Sequence, residues 1–275
     1  MSAQFGVNRT LKWRPYNPPV ARSSDATTMG SPLGFGRGPD KGIRMRLFRI
    51  ALTAAVSSLA LAGAAQAADE AKVDLSVNIG VNTDYVFRGV SQTNEDPSVF
   101  GGIDATMGIG YAGIWVSNVD FGNGTDAEFD IYAGVKPVVG AVTFDLGVIY
   151  YGYTGQPSGS NEDYWEGKVA ASVPAGPATL GAAVYYSPEF FGKTGDAFYY
   201  EVNAAVAIPD TKFSVSGALG RQQVKGTADY TTWNAGIGYA LTDHIGVDVR
   251  YFDTGEHSFG AIYDSRVVAS LKLTF

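Results

Sequence analysis

The chain has 275 residues, no cysteine, 35 glycines, 16 tyrosines and a formal net charge of −7. The absence of cysteine excludes a disulfide framework and thiolate chemistry, and the high content of aromatic and branched apolar residues excludes a disordered chain. No apolar run reaches the ~18 residues of a membrane-spanning helix.

The first readable element is "MRLFRIALTAAVSSLALAGAAQA", Met45 to Ala67. Arg46 and Arg49 form a basic start, Ile50 to Ala62 an apolar middle, and Ala65-Gln66-Ala67 a small-x-small site. This order predicts a secretory signal peptide cleaved after Ala67. Residues 1–44 are rich in Pro, Gly, Ser and Arg and show no apolar periodicity. They read as an unstructured extension upstream of a true start at Met45. The exported domain then spans 68–275. Residues 1–67 hold 9 of the 20 Lys/Arg and 2 of the 27 Asp/Glu, leaving 11 basic and 25 acidic groups, a net of −14. So acidic a domain argues against a nucleic-acid partner.

From Val73 onward the pattern is strict alternation, the signature of strands with two unlike faces. In "VDLSVNIGVN" Val73, Leu75, Val77, Ile79 and Val81 alternate with Asp74, Ser76, Asn78, Gly80 and Asn82. The parity continues through Tyr85 and Phe87, which predicts one long first strand. Asp84 and Arg88 fall on its polar face, Tyr85 and Phe87 face lipid, and "QTNEDP" forms the first outer loop. Further strands are predicted near 98–109, 111–118, 126–136, 141–152, 163–173, 178–187, 197–208, 211–221, 229–240, 244–252 and 262–275, twelve in all. In the third, Ile114 and Trp115 compete for the apolar face.

Short connections ("PVVG", "PAGP", "PD", "LTD") alternate with longer ones such as "VDFGNGTD", "TGQPSGSNED" and "PEFFGKTGD". Tight turns at one rim and longer loops at the other are expected of an outer-membrane barrel, with both termini on the periplasmic side. A secreted β-sandwich also alternates. Against it stand the strand lengths, which exceed the usual ~5–6 residues, and aromatics at strand ends (Tyr85, Phe87, Tyr150, Tyr151, Tyr153, Tyr164, Trp165, Phe190, Phe191, Tyr199, Tyr200, Tyr251, Phe252), which read as interfacial girdles. The chain ends "SLKLTF". Leu271 and Leu273 share a face with the terminal Phe275, similar to the assembly signal that the bacterial barrel-insertion machinery reads. The expected fold is therefore all-β, an antiparallel up-and-down transmembrane barrel of about 12 strands in the bacterial outer membrane. Its surroundings would be lipid and lipopolysaccharide.

Enzyme chemistry finds little footing. The two histidines, His244 at a periplasmic turn and His257 in an outer loop, lack an evident partner for a barrel hydrolase. "GIGYAG" at Gly108 to Gly113 matches a dinucleotide motif literally, but a strand follows where a helix is needed. No residue set calls for a cofactor or a metal, and outer-loop acids such as Glu95 and Asp96 read as solvated charges. The inward face is the remaining candidate. Its acids are Asp74, Asp84, Asp104, Glu128, Asp130, Asp145, Glu166, Glu201, Asp248 and Asp264; its bases are Arg88, Lys136, Lys168, Lys212, Arg250, Arg266 and Lys272. Enclosed charges must pair or meet water. Eight strands can be filled by side chains and 16–18 leave an aqueous channel, so twelve is intermediate. Small inward residues such as Gly102, Gly134, Gly147, Gly181 and Ala183 favour a narrow pore, and the acid excess a weak preference for cations. A lumen closed by salt bridges, in a structural or adhesive barrel, is the alternative.

The exported part resembles the TorF family of porins, also grouped as outer-membrane proteins of the Gcw_chp type. The family pattern "SDYxFRGxSQTxxxPxxxGGxD" is matched by Asp84, Tyr85, Phe87, Arg88, Gly89, Ser91, Gln92, Thr93, Pro97, Gly101, Gly102 and Asp104, with Thr83 in place of the leading serine. "SNVDF", "DLGVIYY", "FGKTGDA" and "DYTTWNAGIGY" are similar as well, while Thr154 stands where the family pattern has proline. The resemblance covers nearly all of 73–275 and implies an outer-membrane barrel, with little mechanism attached.

Overall fold

The computed structural model describes residues 72–227 and 229–275; the leader at 45–67 and the segment 1–44 lie outside the described residues. In chain order the strands are β1 (Asp74–Asn82), β2 (Val86–Phe87), β3 (Val90–Ser91), β4 (Ser98–Met107), β5 (Gly110–Asn118), β6 (Ala127–Val135), β7 (Val138–Val139), β8 (Val142–Thr154), β9 (Tyr164–Ala175), β10 (Ala178–Ser187), β11 (Ala197–Ala207), β12 (Phe213–Val224), β13 (Tyr230–Ala240), β14 (Ile245–Thr254) and β15 (Arg266–Thr274). The two-residue strands β2, β3 and β7 apart, twelve strands form one closed antiparallel wall. Each pairs with its neighbours in sequence. β6 pairs directly with β8, and β1 closes the ring on β15 through Asn78↔Thr274 to Val81↔Leu271. Closure removes every free edge, so the wall strands find their backbone partners inside the wall.

The alternation sorts the side chains. Leu75, Ile103 and Ile131 stand outward at 69%, 55% and 49% exposure. With their equivalents on the other strands they make a continuous apolar belt. On a soluble protein such a surface would be a large sticky patch; around a closed barrel it is the lipid face. The Ile114/Trp115 competition resolves with Ile114 outward and Trp115 inward, its ring 5.2 Å from Tyr85. At the "GIGYAG" stretch Gly108 takes φ +57 in a tight turn, and a strand follows it.

Two expectations are corrected. The first strand does not run on to Arg88. Its last backbone link to the wall is Thr83 N–H to Ala269 O at 2.9 Å, after which the chain turns into the lumen. The period-2 pattern persisted because the inserted segment is itself a strand pair, with Tyr85 and Phe87 buried inside the barrel and not against lipid. The aromatic girdle likewise contains only part of the expected set. Tyr150, Trp165, Tyr200 and Tyr251 face outward at the long-loop rim, joined by Tyr186, Phe198 and Trp233, with ring pairs such as Tyr150–Trp165 at 4.8 Å and Trp233–Tyr251 at 5.1 Å. Tyr151, Tyr153, Tyr164, Phe190, Phe191, Tyr199 and Phe252 are buried inside. The strand residues among them share the parity of the inward polar groups Asp145, Glu166, Glu201 and Arg250, and Phe190 and Phe191 enter from the loop after β10, so the interior claims them.

The lipid-facing assignment has a direct test. Ile131→Lys, at the middle of β6, is expected to destabilise the refolded barrel by about 2–4 kcal/mol in reversible urea unfolding from lipid bilayers.

Candidate functional site

The segment between β1 and β4 is built to leave the wall and stay inside. Asp84 is its anchor. Its carboxylate accepts from Ser91 Oγ (2.7 Å), Thr93 Oγ1 (2.9 Å) and Arg266 Nη1 (2.9 Å), the last reaching in from β15. The hydroxyl of Thr93 also accepts the Tyr85 N–H at 3.1 Å, and the Gln92 N–H donates to Tyr85 O at 2.6 Å. Between these ties β2 and β3 form a hairpin with Arg88 (φ 46) and Gly89 (φ 87) at its turn. Two positive φ values in a two-residue turn are the type I′ requirement, usually met by Asn-Gly or Gly-Gly. An arginine there costs about 1–2 kcal/mol of backbone energy, so its side chain must return more than that. At Gly89 an added Cβ would lie 2.2 Å from Thr232 Oγ1, because the tip of the hairpin rests against β13 and β14.

Arg88 explains the arrangement. Its Nη1 and Nη2 donate to Glu166 Oε1 (3.0 Å) and Oε2 (2.8 Å), a bidentate pair from one side of the barrel to the other, and Nη1 also donates to Gln222 Oε1 at 2.8 Å. The guanidinium carbon lies 4.2 Å from the Tyr199 ring centroid, 4.6 Å from Phe87 and 5.1 Å from Tyr185. Both charged side chains are almost wholly removed from water, at 0% and 2% exposure. Burial opposes the charged guanidinium, but the Glu166 carboxylate beside it outweighs that and moves the Arg88 pKa above its ordinary value. Tyr85 donates to Glu128 Oε1 at 2.8 Å. Burial first, then the Glu128 and Asp130 carboxylates, push its hydroxyl pKa well up, so it remains a donor.

Around the hairpin, Tyr151, Tyr153 and Tyr164 from the wall meet Phe190 and Phe191 from the loop after β10, and Phe121 from the loop after β5 packs on them. Each fully buried ring contributes about 1.5–3 kcal/mol. The half of the lumen toward the long loops is thereby filled.

The expected inward residues divide by depth. Asp84, Arg88, Glu128, Asp130, Glu166 and Glu201 gather in this filled half, with Arg266 at its margin. Glu201 accepts from Tyr199 Oη (3.0 Å) and Asn203 Nδ2 (2.9 Å). The remaining groups line the other half and bond along the wall. Asp145 accepts from Tyr111 Oη and Lys168 Nζ, both at 2.6 Å. Lys136 lies over the Tyr111 ring, and Asp104 accepts from Tyr132 Oη. Arg250 bonds Asp248 (3.1 Å), Asn234 (2.6 Å) and Ser216 (2.7 Å). Lys272 sits on β15 opposite Gly80 and Gly246. Two assignments fail: Lys212 bonds the Leu241 carbonyl at the short-turn rim, and Asp264 is exposed in the last long loop; Asp74 keeps the face of its cross-strand partner Thr106 and pairs with Lys72 at the short-turn rim. Phe275 exchanges two backbone bonds of 2.9 Å with Val77, and Leu271 and Leu273 share the outward face of β15. Inspection of the sequence missed Tyr85, Phe87, Gln92, Gln222, Tyr185 and Tyr199 as parts of one site. The dipeptide Arg88-Gly89 between Val86-Phe87 and Val90-Ser91 was the available hairpin signal.

The histidines differ from expectation in one respect. His244 Nδ1 lies 2.8 Å from the Thr274 carbonyl, but His257 has a carboxylate partner, with Nε2 2.8 Å from Asp253 Oδ1. Neighbouring Ser258 donates to Glu256 rather than to this ring.

A family model described as "Bacterial protein of unknown function (Gcw_chp)" matches residues 65–275. The chain belongs to this family. Among solved structures it is similar to a KdgM porin in complex with disordered oligogalacturonate (11% identity, 73% of this chain and 99% of that chain, TM-score 0.49). It is also similar to the NanC porin (10%, 73% and 98%, TM-score 0.47) and to outer-membrane-expressed OmpT of Vibrio cholerae (12%, 76% and 99%, TM-score 0.40). No curated protein matches the chain. The family description names no activity, so the reading of its members rests on what the lumen contains.

Three outcomes follow from this geometry. Glu166→Gln strips the buried guanidinium of its counter-charge and is expected to cost about 3–5 kcal/mol of unfolding free energy. Asp248→Asn, at a partly wet pair, should cost under about 1 kcal/mol in the same measurement. The hydrogen bond to Asp253 raises the His257 pKa above 6.5. Its stabilisation is therefore complete below the unfolded value and lost as pH rises through the folded one. An NMR titration should show that pKa falling when Asp253 is changed to Asn.

Proposed function

We propose that the protein is a porin-like barrel of the outer membrane, of the TorF type. It would admit small hydrophilic solutes or ions through a narrow lumen, and only when the hairpin between β1 and β4 leaves its place. The observation that carries this reading is the contrast between the two halves of the interior. In the short-turn half the charged groups bond along the wall, and the inward residues between them are small or polar. Thr106, Thr179, Asn203 and Ala205 on that face are exposed, so water reaches the inside from that rim. In the other half Phe87, Val90 and Gln92 have no exposure at all. One half supports a channel and the other supports a closed state of it.

The acid excess of the lumen supports a weak preference for cations. The apolar belt supports a lipid and lipopolysaccharide environment. The alternating Leu271, Leu273 and Phe275 support recognition by the barrel-assembly machinery, after export by the leader ending at Ala67. The reading is of a non-enzyme; among the described residues the His257 ring is bonded to Asp253, and neighbouring Ser258 donates to Glu256.

A non-conducting structural barrel is the second reading, favoured by the completeness of the Arg88 bonding. Planar-bilayer recording separates the two. The wild type is expected to be nearly silent with rare openings, while Arg88→Gly, which leaves the buried Glu166 without its counter-charge, opens about 100-fold more often if ~3 kcal/mol of hairpin stability is lost. Silence of both proteins would establish the structural reading.

A further inference from the structure

We propose that the long-loop half of the lumen contains a guanidinium-binding site, which the chain fills with its own Arg88. The recognition groups belong mainly to the wall and not to the hairpin. Glu166 stands on β9, Tyr185 on β10, Tyr199 on β11 and Gln222 on β12, four consecutive strands. Each polar member is held by bonds other than those to Arg88. Tyr151 Oη donates to Glu166 Oε2 at 3.1 Å, and Tyr199 Oη donates to Glu201 at 3.0 Å. The amide nitrogen of Gln222 donates to the Phe198 and Gln223 carbonyls, which fixes its oxygen toward the guanidinium. A receptor preorganised in this way keeps its geometry when the occupant is changed.

The chemistry selects a flat, weakly hydrated cation. A carboxylate offering both oxygens to two parallel N–H groups suits a guanidinium and not a point-like ammonium. The Tyr185 and Tyr199 rings, at 5.1 and 4.2 Å, add cation–π attraction that a strongly hydrated sodium ion cannot collect without shedding its water. All polar contacts go to the two terminal nitrogens of Arg88, and its Nε makes no hydrogen bond among the described residues. The site therefore does not depend on the link to the arginine chain. The guanidinium ion or a singly substituted guanidinium compound presents the same face. In the resting protein Arg88 competes as a tethered occupant at high effective concentration, which keeps free ligand out. The site exists whether or not the lumen conducts.

Arg88→Gly vacates the site while preserving the turn, because glycine accepts positive φ at no steric cost. The test is thermal unfolding of the full-length exported protein, folded in detergent micelles, with millimolar guanidinium chloride, sodium chloride or methylammonium chloride. The variant is expected to melt below the wild type and to regain several degrees in guanidinium alone. Wild type should not respond, and Glu166→Gln added to the variant should abolish the gain. If the variant does not fold unaided, its refolding yield becomes the readout, with recovery expected in guanidinium and not in sodium. An equal response to all three salts, no response to any, a gain of the same size in wild type, or a gain that survives Glu166→Gln would each overturn the proposal.

Discussion

Inside a bilayer a backbone N–H has no water to fall back on, and that constraint organises this molecule. It forces the strands to close on themselves, from β1 round to β15, with no edge left over. Closure then creates an inside, and the period-2 geometry of strands delivers every second side chain into it. The outward set needs only to be apolar. The inward set must settle its charges within a space about twelve strands around. Neither a solid core nor an open channel is obligatory at that size, so the contents decide.

This chain decides differently at its two ends. Toward the short turns, acids and bases lie on the same or neighbouring strands and bond along the wall, as Arg250 does to Asp248 on its own strand and to Asn234 and Ser216 on the next two. Toward the long loops the partners stand too far apart to meet, and a hairpin brings the missing guanidinium to Glu166 from across the barrel. A bidentate pair with aromatic faces around it is among the few arrangements in which a buried charge is not a net loss. The unfavourable φ of Arg88 is tolerated for that reason. A residue better suited to the turn would leave Glu166 alone.

Much of the fold was legible because alternation reports which face a residue takes. The twelve wall strands, the two kinds of rim and the polarity of the inward face all follow from it, down to Glu128 and Glu166 pointing inward. Alternation is silent on whether a strand belongs to the wall. Tyr85 and Phe87 keep the parity of β1, yet they sit on a hairpin wrapped on all sides, where a period of two carries no inside or outside. Tyr151, Tyr164 and Tyr199 have the chemistry of interfacial anchors, but each shares parity with a buried acid on its own strand. Aromatic character suits either surface of the wall; position along the strand decides between them. The site itself joins residues 78 and 134 positions apart, a distance over which no local pattern extends.

Those separations bear on the order in which the barrel can be made. Arg88 follows the first strand, but Glu166 arrives six wall strands into the ring, Gln222 nine, and the Arg266 that secures Asp84 only with the last, 182 residues on. Contacts so distant in sequence form late, since the chain between them must first be ordered. Only the Arg266–Asp84 pair waits for the last strand, so that contact ties the first loop to a ring that has closed.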